Sequence, residues 1–165
     1  GLPAVVGALP AGEGGHLFLS YQWDSQAMVL RITEALRRCG YVVWIDVDMM
    51  VGALNQRMAE AVEGAAVVVP CITRAYKASV NCMKELNYAD QRRRDMVPLI
   101  LDAADRAGLL SGQVGLITSN LIYVDFSACA APGPDGRFDE AEPAFVAKMR
   151  ELLHALGPRG RALCP

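Results

Sequence analysis

The sequence predicts a doubly wound α/β domain whose parallel sheet is covered by helices on both faces. Three observations predict it. Strand-sized apolar runs alternate with helical stripes along the whole chain. Each crossover is long enough to hold a helix, which parallel strands need and a hairpin does not. Runs such as Ala65 to Ile72 are continuously apolar, as strands buried on both faces are. A length of 165 residues suits one domain, and a hydrophobic share of 53% is enough for an ordinary core.

His16 to Tyr21 reads as a buried first strand. Met28, Ile32, Ala35, Leu36 and Cys39 then form one helix face, stopped by Gly40. Tyr41 to Ile45 is a second strand, rich in β-branched and aromatic residues. The loop from Asp46 to Ala53 contains Gly52, and Leu54, Met58, Ala61 and Val62 form a second stripe ending near Gly64. Ala65 to Ile72 is the third strand. Thr73 to Val80 is a polar connection into a helix from about Asn81 to Arg93, with Cys82, Leu86 and Ala89 on one face. Met96 to Leu101 is a fourth strand. Asp102 to Asn120 is irregular with a short helix, and Leu121 to Val124 is a short fifth strand. After a Pro- and Gly-rich loop, Phe145, Met149, Leu152, Leu153 and Leu156 mark the last helix.

Five strands with right-handed crossovers give a flavodoxin-like three-layer sandwich with strand order 2-1-3-4-5. Its topological switch point lies between strands one and three, and ligands of such sheets bind at the carboxyl ends there. Those ends are Ser20 to Asp24 and the stretch from Thr73 into the following helix, with the Asp46 to Ala53 loop beside them. Residues 1–15 and 158–165 have the Gly-, Pro- and Ala- or Arg-rich composition of linkers, so the expected domain is 16–157, cut from a longer protein.

Bulk properties exclude several function classes. A net charge of −2 gives no reason to expect nucleic acid or an anionic membrane as partner. The basic run Arg92-Arg93-Arg94 is a solvated helix end, where cations complement the helix dipole. The five cysteines are odd in number and lack metal-ligand spacing, so a reducing, cytoplasmic setting without a protein-bound metal is expected. No secretory signal is read, and no apolar run is long enough to span a bilayer. There is no dinucleotide fingerprint, P-loop or nucleophile elbow. His16 and His154 read as structural or exposed.

The switch point gathers Tyr21, Gln22, Trp23 and Asp24 on one side and Ser79, Asn81, Cys82 and Glu85 on the other. Glu85 falls in the first two turns of its helix, where a carboxylate also suits the dipole. Trp23 belongs to no strand or helix stripe, so it either stacks on a ligand ring or folds back onto the first helix.

At these residues the chain resembles the TIR (Toll/interleukin-1 receptor) domain family. His16-Leu17-Phe18-Leu19-Ser20-Tyr21 resembles the family's opening box, and Trp44-Ile45-Asp46-Val47-Asp48 its second-strand box. Ser79-Val80-Asn81-Cys82-Met83-Lys84-Glu85-Leu86 is similar to its S-x-W-C-x-x-E-L box, and Met96-Val97-Pro98-Leu99-Ile100 to its fourth strand. The resemblance covers about residues 16 to 156. It implies one of two functions. Some members are adaptors that signal by assembling with other TIR domains; others cleave NAD+ at the nicotinamide–ribose bond. The catalytic glutamate of the enzymes matches Glu85. Two departures bear on the choice. The tryptophan four residues before that glutamate is Asn81 here, so Trp23 would supply the stacking. The loop lacks the Arg-Asp-x-x-Pro-Gly element of the receptors, and Asp46-Val47-Asp48 followed by Gly52 looks closer to the enzymes.

The resemblance therefore implies an NAD+ hydrolase of innate-immune type signalling, activated by self-association, with NAD+ as substrate and no further cofactor. Glu85 would be catalytic. Tyr21, Gln22 and Trp23 would line the nicotinamide and ribose side, with Asn81 beside them. Asp46, Val47, Asp48 and Gly52 would form a lid, and Ser79 and Cys82 would support the site or pack beneath it. The alternative is a non-catalytic TIR adaptor.

Overall fold

The computed structural model describes residues 11–45, 54–103 and 105–163. The strands are β1 (His16–Ser20), β2 (Val43–Trp44), β3 (Ala65–Ile72), β4 (Leu99–Ile100) and β5 (Val124–Asp125). The helices are α1 (Gln26–Arg38), α2 (Leu54–Glu63), α3 (Arg74–Ala78), α4 (Val80–Gln91), α5 (Arg106–Leu109), α6 (Gly112–Thr118) and α7 (Pro143–Leu156). A short 3-10 turn, Trp23–Ser25, precedes α1. The sheet runs β2-β1-β3-β4-β5 with every pairing parallel, which is the predicted order.

Alternation along β1 sets the layers. Leu17 and Leu19 face α1 and α7, whose buried stripes include Ile32, Leu36, Met149 and Leu152. Phe18 faces the opposite side and packs with Ala61 and Val62 of α2 and Ala89 of α4. Its ring stacks on Trp44 of β2, centroids 4.9 Å apart. Further along that second face, Ile72 and Ile100 meet Tyr76, Cys82, Leu86 and Leu109. The period-two rule therefore sends Ser20, like Phe18, toward α4.

Three elements from β3 onward differ from the sequence-based expectation, each for a local reason. The fourth strand is shortened by proline. Val68 and Ile72 both bond to the β4 side, accepting from the amides of Val97 (3.0 Å) and Leu101 (3.1 Å). Pro70 has the same parity and no N–H to offer. Pairing is thus an isolated Val68–Met96 bridge followed by a ladder at Leu99–Ile100. The fifth strand begins at Val124 rather than Leu121, because the Leu121 amide is held by the Thr118 carbonyl at the end of α6 (3.0 Å). The polar connection after β3 contains α3, capped by the Thr73 hydroxyl on the Tyr76 amide (3.0 Å). Five residues are too few to show a helical period.

β2 is also shorter than the expected Tyr41 to Ile45, and the residues just before it pair instead with the segment after α7. Tyr41 pairs antiparallel with Arg161, the Val42 amide donates to Gly160 (2.9 Å), and the Ala162 amide donates to Gly40 (2.9 Å). Residues 13 and 14 bond in turn to Pro158 and Arg161. Segments of linker composition thus cover the residues leading into the edge strand, whose backbone groups would otherwise be open to another chain. The Tyr41 hydroxyl donates to the Gly157 carbonyl (2.5 Å), and the Arg161 guanidinium lies over its ring. Across the molecule, Arg31 of α1 ties down the β5–α7 loop. It pairs with Glu142 (2.9 Å), donates to the Asp139 carbonyl (2.7 Å) and packs between Phe138 and Phe145. Among the described residues no helix is long and apolar enough to cross a membrane.

Two outcomes test this packing. Gly160 has φ +81°, and a Cβ there would lie 2.7 Å from Leu17 Cδ2 in the core. Gly160→Ala should cost about 1–3 kcal/mol and lower the thermal midpoint by several degrees. Gly136→Ala is its control, since Gly136 has a similar φ of +77° and open space around it. Equal losses in both would mean that crowding against Leu17 is unimportant. The second outcome concerns pH. Burial pushes the Tyr41 phenol up to about 12, against the opposing pull of Arg161. Its proton is released near pH 10 when unfolded but later when folded, so the folded state holds more protons in between. Stability is complete below pH 10 and falls as pH rises toward 12. A urea titration series should show this fall, and Tyr41→Phe should make it shallower by about 2 kcal/mol across the window. An unchanged slope in the variant would contradict it.

Candidate functional site

The carboxyl end of β1 and the amino end of α4 meet on the second face of the sheet. β1 delivers Ser20, which is 1% exposed although it carries a hydroxyl. β3 ends at Ile72, and Thr73 turns the chain into α3. That short helix points Tyr76 inward, where it is fully buried. Ser79 then caps α4, its hydroxyl accepting from the Cys82 amide (3.2 Å). The buried stripe Cys82, Leu86 and Ala89 seats the helix on the sheet, as its spacing predicts. Glu85 lies at the margin of that stripe and is half-buried.

These placements create a chain of three side chains from three elements. The Ser20 hydroxyl donates to Glu85 Oε2 in a short hydrogen bond. Ser20 Oγ is also 2.9 Å from the Tyr76 hydroxyl. The surrounding groups are held neutral. Burial raises the Tyr76 phenol well above its usual value, and the Glu85 charge reinforces the shift. Burial pushes the Cys82 thiol up to about 11, opposed by Ser79 and reinforced by Glu85. Cys71 beneath is raised too, by burial first and then by Cys82 and Glu85. A thiol shifted this way is a poor nucleophile at neutral pH, and Cys82 sits in the core as a packing residue.

The segment after β1 forms the other wall. Tyr21 is 9% exposed, and its hydroxyl accepts from Gln26 Nε2 (3.4 Å). The Gln22 side chain accepts from the Asp24 amide (2.7 Å), and the Gln22 backbone carbonyl accepts from the Ser25 hydroxyl (2.9 Å). These bonds close the 3-10 turn that Trp23 opens. Trp23 is 48% exposed, so its indole is available at the surface rather than folded into the core. Asn81 is exposed in the first turn of α4. Asp46, Val47, Asp48 and Gly52 lie outside the described residues.

Sequence reasoning brings Glu85, Ser79, Asn81 and Cys82 together on α4 and Tyr21, Gln22 and Trp23 on the β1 side. It missed Ser20 and Tyr76 as partners of Glu85. The available signal was a hydroxyl at the end of an otherwise apolar buried strand, where a polar side chain needs a partner. Tyr76 gave no such signal, since an aromatic in a polar connection reads as ordinary. His16 is structural, its Nε2 lying 2.6 Å from the Ala61 carbonyl, and His154 is exposed. Among the described residues no three His, Cys, Asp or Glu side chains are placed to hold a metal ion.

Comparison with known proteins agrees with this fold. The TIR domain family model matches residues 17–140. The TIR domain of the Toll-related receptor TRR-2 from Hydra magnipapillata superposes with a TM-score of 0.56 at 12% identity, over 69% of this chain and 86% of that one. The TIR domains of the activated Roq1 resistosome, which recognises the pathogen effector XopQ, superpose with a TM-score of 0.53 at 19% identity, over 85% of this chain and 81% of that one. No curated protein sequence gives a significant match. At these identities the solved structures speak for the fold, and the family model spans most of the chain. The chain belongs to the TIR domain family.

Proposed function

We propose that this domain hydrolyses NAD+ at the nicotinamide–ribose bond, with Glu85 as the catalytic carboxylate. The observation that carries the reading is the half-buried Glu85 carboxylate, held at the carboxyl end of β1 where doubly wound sheets bind ligands. It occupies the position that the enzymes of the family use.

One carboxylate is enough for this reaction. Glycoside hydrolysis usually needs a second carboxyl group to protonate a poor leaving group. Nicotinamide in NAD+ is already a cationic pyridinium. The C1′–N bond breaks with its electron pair passing to the ring nitrogen, and nicotinamide departs neutral. The ribosyl group left behind has oxocarbenium character. A fixed anion in a partly dry cleft stabilises that charge and orients the ribose hydroxyls. A water oxygen then bonds to C1′ and releases its proton to solvent, giving ADP-ribose. Attack by an adenine nitrogen of the same molecule gives a cyclic product instead. The exposed Trp23 offers a ring face for nicotinamide, with Tyr21 and Gln22 supporting its turn. Asn81 stands exposed one turn before Glu85 on α4, and Ser79 and Cys82 anchor the start of that helix. In this reading the lid role that the resemblance implies falls to Asp46, Val47, Asp48 and Gly52, and the domain works in the cytoplasm.

Self-association activates the domain in this reading, in line with the assembled state in which the Roq1 TIR domains occur. A second reading, a module acting through TIR–TIR assembly without turnover, has support of its own. Leu116 and Ile122 are each 79% exposed, and Val80 is 69% exposed, so apolar contact surface is present.

Nicotinamide release from NAD+ by the concentrated domain separates the two. Wild type should turn over, and Glu85→Ala should lower kcat by at least about 100-fold. Trp23→Ala should mainly raise KM, by about tenfold. No release by wild type at high protein concentration with a crowding agent would leave the assembly reading as the better account. Release undiminished in Glu85→Ala would remove Glu85 from the chemistry.

A further inference from the structure

We propose that Ser20 and Tyr76 are positioning residues that hold the Glu85 carboxylate in its working orientation through a buried hydroxyl relay. The proposal rests on Glu85 being the catalytic carboxylate. It concerns what fixes that group, since glutamate has three rotatable bonds and α4 alone does not determine where its oxygens lie.

The direction of the relay follows from counting hydrogens. An ionised carboxylate only accepts, so the single Ser20 hydroxyl hydrogen goes to Glu85 Oε2. Ser20 Oγ then has only lone pairs to offer Tyr76, 2.9 Å away. The Tyr76 hydroxyl must therefore be the donor. Its phenol is shifted well upward by burial, so it keeps that hydrogen throughout the neutral range. Polarisation runs one way along the chain, from Tyr76 through Ser20 to the carboxylate.

The burial makes the relay rigid. Tyr76 is 0% exposed and Ser20 is 1% exposed, so neither hydroxyl can readily exchange its partner for bulk water. Each member belongs to a different element: Ser20 to β1, Tyr76 to α3 and Glu85 to α4. The relay thus ties the carboxylate to β1, an interior strand of the sheet, as well as to its own helix. Packing alone would not demand these hydroxyls. Alanine and phenylalanine would fill nearly the same space, and both buried hydroxyls need a partner.

The test compares Ser20→Ala, Tyr76→Phe and the double variant with wild type in the 165-residue chain. Each substitution removes one oxygen, and Tyr76→Phe keeps the buried ring if Ser20→Ala should prove unstable. Two readouts are taken: kcat and KM for nicotinamide release, and the titration of the Glu85 side-chain carbon by NMR on carbon-13 glutamate, assigned by its loss in Glu85→Gln. Ser20→Ala should lower kcat by about 10- to 100-fold with KM within about twofold. Tyr76→Phe should lower kcat by about three- to tenfold. The double variant should be no worse than Ser20→Ala, because Tyr76 acts through Ser20. The Glu85 titration should move upward in Ser20→Ala, because a donor to the charged form is lost. Cys71, Cys82 and Tyr76 stay neutral through the carboxyl range and leave that curve undistorted.

Losses that multiply in the double variant would overturn the relay, as would unchanged kcat and titration in Ser20→Ala. If wild type releases no nicotinamide, the hydrolase reading fails and the titration alone decides. A shift in Ser20→Ala then supports the hydroxyl's hold on Glu85, and no shift overturns it.

Discussion

The burial of β1 on both faces is the constraint on which the rest of this structure depends. Five residues lie between β2 and β3, and the four from Leu17 to Ser20 are nearly inaccessible. Parallel pairing on each side consumes the backbone groups, and the pleat divides the side chains between two helical layers. Leu17 and Leu19 seat α1 and α7, while Phe18 seats α2 and α4. Ser20 inherits the side of Phe18. A hydroxyl delivered there must find a partner, and it finds Tyr76 and Glu85. The same alternation that builds the core thus carries one polar group to the place where a ligand would bind.

Backbone chemistry shapes the margins of the sheet. Pro70 sits in the third strand with its missing N–H turned toward β4, and the β3–β4 ladder is interrupted there. Pro98 is turned toward β5, where the Val124 amide donates to its carbonyl (3.0 Å) and the partner strand is only beginning, so its missing donor matters little. On the opposite side, residues 160–162 pair with residues 40–42 just before β2, and residues 13 and 14 bond to residues 158–161. This pole carries the amino ends of the strands. The candidate site is at the other pole, so edge protection and ligand access do not compete.

The fold was legible because periodicity survives in single sequences when elements are long and buried. The eight residues of β3 and the stripes of α1, α4 and α7 fall where their spacing places them. Short elements were illegible for the opposite reason. A two-residue ladder or a five-residue helix contains less than one informative period, and its limits are set by a distant amide or a capping hydroxyl. The site was half legible. Glu85, Trp23 and Ser79 stand out because charge, exposed aromatic surface and a capping hydroxyl are local signals. The partnership of Ser20, Tyr76 and Glu85 joins residues 56 and 65 positions apart. No local pattern encodes it, although a serine closing a buried strand was a pointer. Asp46, Val47, Asp48 and Gly52, which the resemblance implies as a lid, lie outside the described residues.

The central claim is that the meeting point of β1 and α4 is where a dinucleotide binds. The most direct measurement is amide NMR of the Glu85→Gln variant, which should bind without turnover, during titration with NAD+. The account predicts saturable shift changes at Ser20, Trp23, Asn81 and residue 85, with residues 158–162 unmoved. Changes centred elsewhere, or none at millimolar NAD+, would contradict it.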